Sequence, residues 1–513
     1  PRPRHTLAFA AGIAAIAVVF ALPRITSASA GTETWSKPHI VILGIDSLRN
    51  DLTVPRHGEA EVPNVRAFLA ASRRFEDATT SLARTYPSWM TILTGRHPVD
   101  TNARYNLMPR KLVHEGETIG ASLRAQGYRA IYATDEVRFA NFDRSFGFDQ
   151  MITPPVGASD FLLGYVGDMP LVNLVADLPF GGALFPSNHA NRAANVTYRP
   201  GQFLRRLERE LAIDGPSFIT IHLTLAHWPY AWAGMAVPTA PEEYRKAYAA
   251  ATAAVDRQFG EVLALLADKG VLDNAIVVLL SDHGEALGAD NDSIIRQTGS
   301  SREVWDSLWG HGTSVLSPNQ YQVLLAMRAF GRAKLPGPEE NYAWPVSLED
   351  LRPTLEQLAT GRAPRGVDGV SLVPFMADPA SAGALASRIR FTETDFNTLS
   401  TLEGHYQASG LVDEAAIYYE MDPASGWMQL RPGRLPELIA EKQRAAIGAK
   451  ALVAAIPGGP GRGVRYLYAD RENAHPRALE GPLDGPGDAE ARRLRSALLA
   501  RYPGELTPPG ELP

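Results

Sequence analysis

Three polar residues that suit a metal site come directly after apolar runs of this sequence. Asp46 follows HIVILGI, and Asp282 with His283 follows AIVVLLS. Such continuous β-branched runs are typical of strands buried on both faces of a parallel sheet, whose carboxyl ends form the ligand-binding edge. Carboxylate and imidazole together bind divalent metals, and Gly284 permits a turn that brings Asp282 and His283 to one ion. Taken singly, Asp46 also fits a turn cap, and the other two also fit a buried ionic pair.

Thr85 lies two residues before Pro87, where a Ser/Thr-rich turn opens the helical pattern PSWMTILTG. As a helix N-cap it needs no chemistry, and a proline in the first turn supports that interpretation. A hydroxyl at a helix start also lies where anions bind, beside free N–H groups and the positive end of the helix dipole. Threonine is a poor nucleophile at neutral pH, but coordination to a divalent metal lowers the pKa of its hydroxyl. The two interpretations are compatible, so Thr85 is also a candidate nucleophile.

Two histidines lie in loops close to the predicted ligand edge. His227 occurs in LTLAHWPY, a few residues after a strand-like run, and His311 occurs in LWGHGTSVL. A lone histidine in a loop is usually solvated or paired with a neighbour. Because both are expected at the same edge of the sheet as the carboxylates, we treat them as candidate site residues.

Strand-like and helix-like runs alternate along the chain and position these residues. Beyond the two runs already quoted, strand-like segments occupy 128–135, 217–223, 322–328 and 388–394. Helical patterns lie at 118–127, 242–270 and 347–359. This alternation predicts a doubly wound α/β sheet, with ligands bound beyond the carboxyl ends of its strands.

Composition excludes several classes of function. The chain has 513 residues, a formal net charge of -6 and no cysteine. Disulfides, thiolate metal sites and a cysteine nucleophile are therefore excluded. No long Lys/Arg block follows residue 30, which disfavours nucleic acid as a partner. The length fits about three domain-sized units, or one large α/β unit with insertions.

Residues 1–30 resemble an export signal. Arg2 and Arg4 form a basic start, residues 7–22 are apolar, and Ala28-Ser29-Ala30 is a small-residue cleavage pattern. We expect either a signal peptide or an N-terminal membrane anchor, with a mild preference for the anchor. The protein is then membrane-anchored with its catalytic part outside the cytoplasm, or periplasmic or secreted if the signal is cleaved.

Two further regions lack the alternation of strand-like and helix-like runs. Residues 155–200 are apolar and broken by Gly and Pro, which fits a site lid, a membrane-facing insertion or plain packing. Beyond about residue 380, shorter strand-like runs at 415–421 and 464–470 flank a predicted helix near 435–450, and a polar helix is expected at 488–501. We predict a smaller C-terminal α+β subdomain over 381–513.

Several motifs together resemble the sulfatase group of the alkaline phosphatase superfamily. They are Asp46 after its strand, the T-x-P-S…LTGRHP turn at 85–98, HWP at 227–229, the block at 248–285 ending in SDHGE, and the segment 347–375. The resemblance spans about residues 38–380. It implies an alkaline phosphatase-like three-layer α/β sandwich with a mixed, mostly parallel sheet, a catalytic domain over 36–380, and a covalent intermediate on the nucleophile.

Departures from that family bear on the reaction. Common sulfatases have Cys or Ser at the position of Thr85, oxidised to formylglycine, then an arginine where Trp89 stands, and a second Asp where Ser47 stands. Threonine cannot give the formylglycine aldehyde. Threonine nucleophiles occur in the related phosphoethanolamine and glycerophosphate transferases and in phosphodiesterases. The resemblance therefore favours hydrolysis or transfer of phosphate esters through phosphothreonine, with sulfate ester hydrolysis and a non-catalytic binding protein as alternatives.

The resemblance also assigns residues to roles. A divalent metal, zinc or manganese in preference to calcium or magnesium, is held by Asp46, Thr85, Asp282 and His283. His227 and His311 bind phosphoryl oxygens, protonate the leaving group or hold a second metal. Arg104 and Asn106, in NARYN, line the substrate side or have surface roles. The expected substrate is a phosphate or sulfate ester, of a lipid or a glycan among the candidates.

Overall fold

The computed structural model describes the chain in ranges separated by gaps: 35–53, 61–137, 140, 142–154, 198–232, 235, 238, 240–289, 292–293, 309–396, 416–457, 463–471, 477–479 and 488–506. The chain divides into two compact units, Pro1–Ser36 and Lys37–Pro513. Nearly all of the described residues belong to the second unit. The predicted signal or anchor at 1–30 and nearly all of the insertion at 155–200 lie outside the described residues. Within the described ranges, no helix has the length and apolar character needed to cross a membrane.

An eight-stranded sheet forms the centre of the second unit. Its strands in chain order are β1 His39–Ile45, β2 Arg73–Thr79, β3 Arg129–Thr134, β4 Gln150–Ile152, β5 Ser217–Leu223, β6 Asn274–Leu280, β9 Leu325–Gly331 and β10 Asn341–Ser347. Their spatial order is β10-β2-β9-β6-β1-β5-β3-β4. Only β9 runs antiparallel to its neighbours, β2 and β6. The predicted mixed, mostly parallel sheet is confirmed.

Helices cover both faces of this sheet and make it the middle of three layers. Alternate residues of β1 enter different cores: Ile40 and Ile42 join one hydrophobic cluster, and Val41 and Leu43 join the other. The helices of the described chain are α1 Pro63–Leu69, α2 Thr85–Thr94, α3 Pro98–Thr101, α4 Ile119–Ala125, α5 Pro200–Glu210, α6 Pro241–Asp268, α7 Pro318–Tyr321, α8 Leu351–Thr360, α9 Val373–Ala377, α10 Gly383–Ala386, α11 Leu435–Ala440 and α12 Ala489–Arg501. Helices α2, α4 and α8 pack on the first face, and α1, α5 and α6 pack on the second. This arrangement confirms the predicted three-layer sandwich.

The central strands are buried on both sides, and most of their residues are apolar. All seven residues of β1, β5 and β6 are buried. Helix α2 ends at Gly95, which adopts the left-handed conformation (φ 66°) that glycine takes without strain.

A second, five-stranded antiparallel sheet lies in the C-terminal part. Its strands are β11 Arg390–Glu393, β14 Arg444–Ile447, β15 Ala451–Pro457, β16 Val464–Asp470 and β17 Arg477–Ala478, in the order β11-β14-β15-β16-β17. Helix α12 packs on one face of it. Two-stranded ribbons, β7 Ala286–Leu287 with β8 Trp309–Gly310 and β12 Tyr419–Met421 with β13 Met428–Leu430, complete the strands. The smaller α+β part is thus present, but the helix expected near 435–450 ends at Ala440 and β14 follows.

The two sheets are joined at the segment before α2. The N–H of Glu393, the last residue of β11, donates to the carbonyl of Ser81 at 3.0 Å. Leu82 and Glu393 form a parallel bridge. The segment that leads into Thr85 is therefore held by the main sheet on one side and by the C-terminal sheet on the other.

Candidate metal and active site

Three adjacent strands of the central sheet bring the site together. Strand β1 pairs in parallel with β5 and β6, with Gly44 opposite both His222 and Leu280. Asp46 extends β1 by one residue, and its N–H donates to the carbonyl of Leu223 at 2.9 Å. Asp282 lies two residues beyond β6. Because parallel strands in register end at the same edge, the two carboxylates meet there, as the sequence predicted.

Four side chains form a tight cluster at this edge. His222 Nε2 lies 3.8 Å from Asp46 Oδ2 and 3.6 Å from Asp282 Oδ2. His283 Nε2 lies 3.5 Å from Asp46 Oδ1 and 3.7 Å from Asp282 Oδ2. Ligands that share one small divalent ion at about 2.1 Å are separated by roughly 3–4 Å, so these spacings fit a common ion. Asp46, His222 and Asp282 also satisfy the mutual distances of a three-ligand metal group.

The electrostatics of the cluster also favour a bound cation. Burial raises the pKa of Asp46 to about 6, and burial together with the charge of Asp46 raises the pKa of Asp282 well above its usual range. Burial lowers the pKa of His222 to about 3 and that of His283 well below its usual value. Asp282 Oδ2, His283 Nε2 and both nitrogens of His222 are buried and have no hydrogen-bond partner among the described residues. Neutral imidazoles beside crowded carboxylates are the donor set that a divalent cation stabilises.

His222 is the member of this cluster that sequence reasoning missed. It is the sixth residue of β5, inside the run SFITIHL, and its side chain is fully buried. The available signal was a polar residue next to the last position of an otherwise apolar strand. Its meaning depends on the pairing of β5 with β1, which places it opposite Gly44.

Ser47 is held in an unusual conformation that serves both carboxylates. Its φ of 58° lies in the left-handed region, which non-glycine residues adopt at an energetic cost. Its hydroxyl donates to Asp46 Oδ1 at 2.8 Å, and its N–H donates to the Asp282 carboxylate. The hydroxyl of Tyr248 donates to its carbonyl at 2.7 Å. The turn after β1 is thus fixed by contacts that orient the two carboxylates.

Thr85 lies at the start of α2 with its hydroxyl directed to the cluster. It is the first helical residue rather than the N-cap, which is Arg84, so the expected capping role is not the one found. Thr85 Oγ1 donates to Asp46 Oδ2 at 3.4 Å, and Thr85 is 3% exposed. Ser88, one turn later, has its Oγ 2.8 Å from the carbonyl oxygens of Leu82 and Asp282. These contacts anchor the first turn of α2 against the strand that carries Asp282.

The two loop histidines lie beside the cluster. The ring of His311 stacks on that of His283 with centroids 4.1 Å apart, and the ring of His227 lies 5.2 Å from that of His311. His311 Nδ1 lies 2.8 Å from Glu285 Oε2. Burial raises the pKa of Glu285 to about 7 and lowers that of His311 well below its usual value. Burial thus disfavours the charged form of both members of this contact.

Arg104 and Asn106, predicted on the substrate side or at the surface, both make contacts within the protein. Arg104 is 3% exposed and forms paired contacts with the carboxylates of Glu393 and Glu505. Asn106 Oδ1 accepts the N–H of Tyr86 at 3.0 Å and so satisfies a free donor in the first turn of α2. Arg104 thus pairs with two carboxylates of the C-terminal part, and Asn106 supports the helix that carries Thr85. A place for either residue on the substrate side stays a prediction.

Comparison with known proteins gives the same picture. The sulfatase family profile matches residues 38–361. A choline-sulfatase of Rhizobium meliloti (strain 1021) is 23% identical over 398 residues, covering 67% of this chain and 72% of that protein. A phosphonate monoester hydrolase of Silicibacter pomeroyi superposes with a TM-score of 0.58 at 18% identity, covering 91% of this chain and 95% of its own. The corresponding enzyme of Agrobacterium radiobacter gives a TM-score of 0.55 at 16% identity, covering 91% and 95%.

The family match covers more than half of the chain, and the fold agrees with that of these hydrolases. The chain therefore belongs to the sulfatase family, in the alkaline phosphatase-like superfamily of sulfate and phosphate ester hydrolases.

Proposed function

We propose that this protein is a metal-dependent phosphate ester hydrolase or phosphotransferase in which Thr85 is the nucleophile. The observation that carries the proposal is the hydrogen bond from Thr85 Oγ1 to Asp46 Oδ2 at 3.4 Å, because it places the hydroxyl beside the carboxylate–imidazole cluster. The position at the start of α2 adds the positive end of the helix dipole close to an incoming anion.

The cluster suits one divalent cation, with zinc or manganese favoured by its two imidazoles. Asp46, Asp282 and His283 would hold it together with Thr85, and His222 is a further donor within reach. When bound, such an ion lowers the pKa of a coordinated hydroxyl and stabilises negative charge on the reacting group.

In the first step, the Thr85 oxygen forms a bond to phosphorus while the bond from phosphorus to the ester oxygen breaks. Asp46 Oδ2, the acceptor that the hydroxyl already contacts, takes the Thr85 proton. In the second step, a water or an acceptor alcohol attacks phosphorus, the bond to Thr85 breaks, and the proton returns to Thr85. The product is a phosphate and a free alcohol, or a phosphate ester of the acceptor.

His311 and Glu285 supply the proton for the leaving group. With Glu285 protonated and donating to His311 Nδ1, the hydrogen of the neutral imidazole lies on Nε2. As Nε2 gives its hydrogen to the departing alkoxide, the Glu285 proton moves to Nδ1. The attacking water or alcohol restores it in the second step. His227, whose Nδ1–H donates to the carbonyl of Trp228, assists in its doubly protonated form, in which Nε2–H donates to an oxygen of the reacting group.

Phosphate is preferred to sulfate because Thr85 cannot give a formylglycine aldehyde. Sulfate ester hydrolysis remains the second candidate, favoured by the family match and by the similarity to a choline-sulfatase. A lipid or glycan ester as substrate, and export with either an anchored or a cleaved N-terminus, remain part of this proposal and rest on the sequence alone.

A matched set of aryl substrates tests the proposal. Turnover of a p-nitrophenyl phosphate monoester, a phosphodiester and a sulfate is compared for the wild type, Thr85→Ser and Thr85→Val with added zinc or manganese. We expect phosphate ester turnover, partial activity in Thr85→Ser, loss by about a thousandfold in Thr85→Val, and an 80-dalton adduct on the peptide containing Thr85 after acid quench. Turnover of the sulfate alone would replace the phosphate proposal with the sulfate one.

A further inference from the structure

Arg84, the residue before Thr85, places a guanidinium at the edge of the site. Its Nε lies 2.7 Å from Asp395 Oδ2, and the two side chains are 18% and 7% exposed. This contact is an ion pair by distance, and the Arg84 guanidinium donates no hydrogen bond to any described residue.

The turn after His311 is shaped to receive the Arg84 side chain. Gly312 has a φ of 65°, and a Cβ added there would lie 2.9 Å from Arg84 Nε and 3.1 Å from its Cγ. A side chain at this position would therefore displace Arg84. The carbonyl of Gly312 also accepts the N–H of Asp395 at 2.8 Å. Arg84, its counterion Asp395 and the turn at Gly312 thus contact one another.

A second arginine near the site shows what a fully engaged guanidinium looks like. Arg49 donates to both oxygens of Asp51, to Asp292 and to the carbonyl of Glu285. Its donors are used within the protein, and it holds together the segments around Glu285. Arg84 differs because its Nε lies against Asp395, while its Nη atoms donate to no described residue and can donate to a ligand.

We propose that Arg84, oriented by Asp395, binds a non-bridging oxygen of the substrate's phosphate or sulfate group next to Thr85. This inference rests on the proposed function and adds the residue that recognises the anion. The negative charges of Asp46 and Asp282 neutralise a bound divalent cation. The positive charge that stabilises an incoming anion is therefore that of Arg84. A charge-assisted hydrogen bond from a held guanidinium is strong and directional.

The experiment compares Arg84→Gln and Arg84→Lys with a matched control, Arg471→Gln. Arg471 forms a comparable partly buried ion pair, 2.6 Å from Asp77 with side chains 15% and 19% exposed, and it contacts no residue of the site. The affinity for inorganic phosphate and sulfate is measured by calorimetry, and KM and kcat are measured on the aryl esters. Melting temperatures show whether each variant is folded.

We expect Arg84→Gln to weaken anion binding and raise KM by about 10- to 100-fold, with Arg84→Lys recovering part of the loss. Arg471→Gln should leave both quantities unchanged. Asp395→Asn should raise KM less than Arg84→Gln does, because the guanidinium remains but is less firmly oriented. Unchanged anion affinity in a folded Arg84→Gln variant would overturn the inference.

The binding measurement separates this inference from the proposed chemistry. If the wild type binds phosphate through Arg84 but turns over no ester, the inference stands and the proposed reaction fails. If the wild type is active and Arg84→Gln matches it in KM and in phosphate affinity, the reaction stands and the inference fails.

Discussion

The indole of Trp89 packs against the imidazole of His222, with ring centroids 4.8 Å apart and planes at 56°. Trp89 is fully buried in α2, and His222 belongs to the carboxylate cluster. The same indole fills the space above Gly44, where an added Cβ would lie 2.6 Å from its Cζ2. Helix α2 therefore supports the cluster from behind through an apolar contact rather than through a charge.

His222→Asn tests whether this histidine belongs to the metal site. We expect metal affinity to fall by at least tenfold, because one donor is lost from a buried set. Competition with a fluorescent zinc chelator measures the change. The control is His39→Asn, since His39 is a buried histidine at the opposite end of the neighbouring strand. Equal metal affinities in the two variants would show that His222 is not a metal ligand.

Gly44→Ala tests the packing behind the cluster. The methyl group would collide with Trp89 and come within 3.3 Å of His222 Cδ2, so we expect a loss of about 1–3 kcal/mol in unfolding free energy and weaker metal binding. Urea unfolding and chelator competition measure the two effects. Adding Trp89→Phe should recover stability in the double variant. A Gly44→Ala variant as stable as the wild type would show that Trp89 can move to make room for the methyl group.

Glu285→Gln tests the proposed route of the leaving-group proton. The amide can still hydrogen-bond to His311 but cannot pass a proton to it. We expect kcat to fall by about 100-fold or more for an alkyl phosphate ester, which needs protonation, and much less for a nitrophenyl ester. An equal loss on both substrates would assign Glu285 a structural role.

Arg104→Met tests whether Arg104 acts as a buried ion-pair partner. Breaking a buried ion pair leaves Glu393 and Glu505 with fewer partners, and we expect the unfolding free energy to fall by about 3 kcal/mol. KM on aryl esters should not change, because Nε, Nη1 and Nη2 of the guanidinium all donate to these two carboxylates. A raised KM with unchanged stability would restore the substrate role predicted from the sequence.

Glu349→Gln tests a buried acid remote from the cluster. Burial raises the pKa of Glu349 from 4.5 to about 7, so the folded state disfavours its charged form. Its contribution to stability is full below pH 4.5 and is lost as the pH rises through 7, a change of up to about 3 kcal/mol. Glu349→Gln keeps the hydrogen bond from Ser81 but carries no titrating proton.

Unfolding of the wild type, Glu349→Gln and the exposed control Glu76→Gln is measured between pH 4.5 and 8. The wild type and the control should lose stability relative to Glu349→Gln across this range. Parallel curves for all three proteins would show that Glu349 is not the group responsible.

The sequence predicted the centre of the fold well because one physical constraint dominates there. Strands buried on both faces must be largely apolar, so the sequence shows β1, β5 and β6 as apolar runs whose ends mark the site. Strand β2 was missed because it reads RRFEDAT. Its charges are accommodated by distant partners: Arg73 by carbonyl groups near 335–337, and Asp77 by Arg390 and Arg471.

The helix predicted near 435–450 extends too far for a related reason. The alanine-rich segment near 435–450 has a high intrinsic helix propensity, yet β14 and β15 form there because they complete a sheet with β11 and β16. Lys442 and Arg444 are buried in that region, where Glu393 and Glu505 pair with them. No local pattern shows partners so far apart in sequence, just as none shows that His222 faces Asp46.

The carboxylates that neutralise Arg84 and Arg104 come from residues 390–396, beyond the end of the family match at residue 361. A shortened protein that ends at that match would therefore leave both buried arginines without these carboxylates. Variants designed for solubility or fusion should keep the chain through α12.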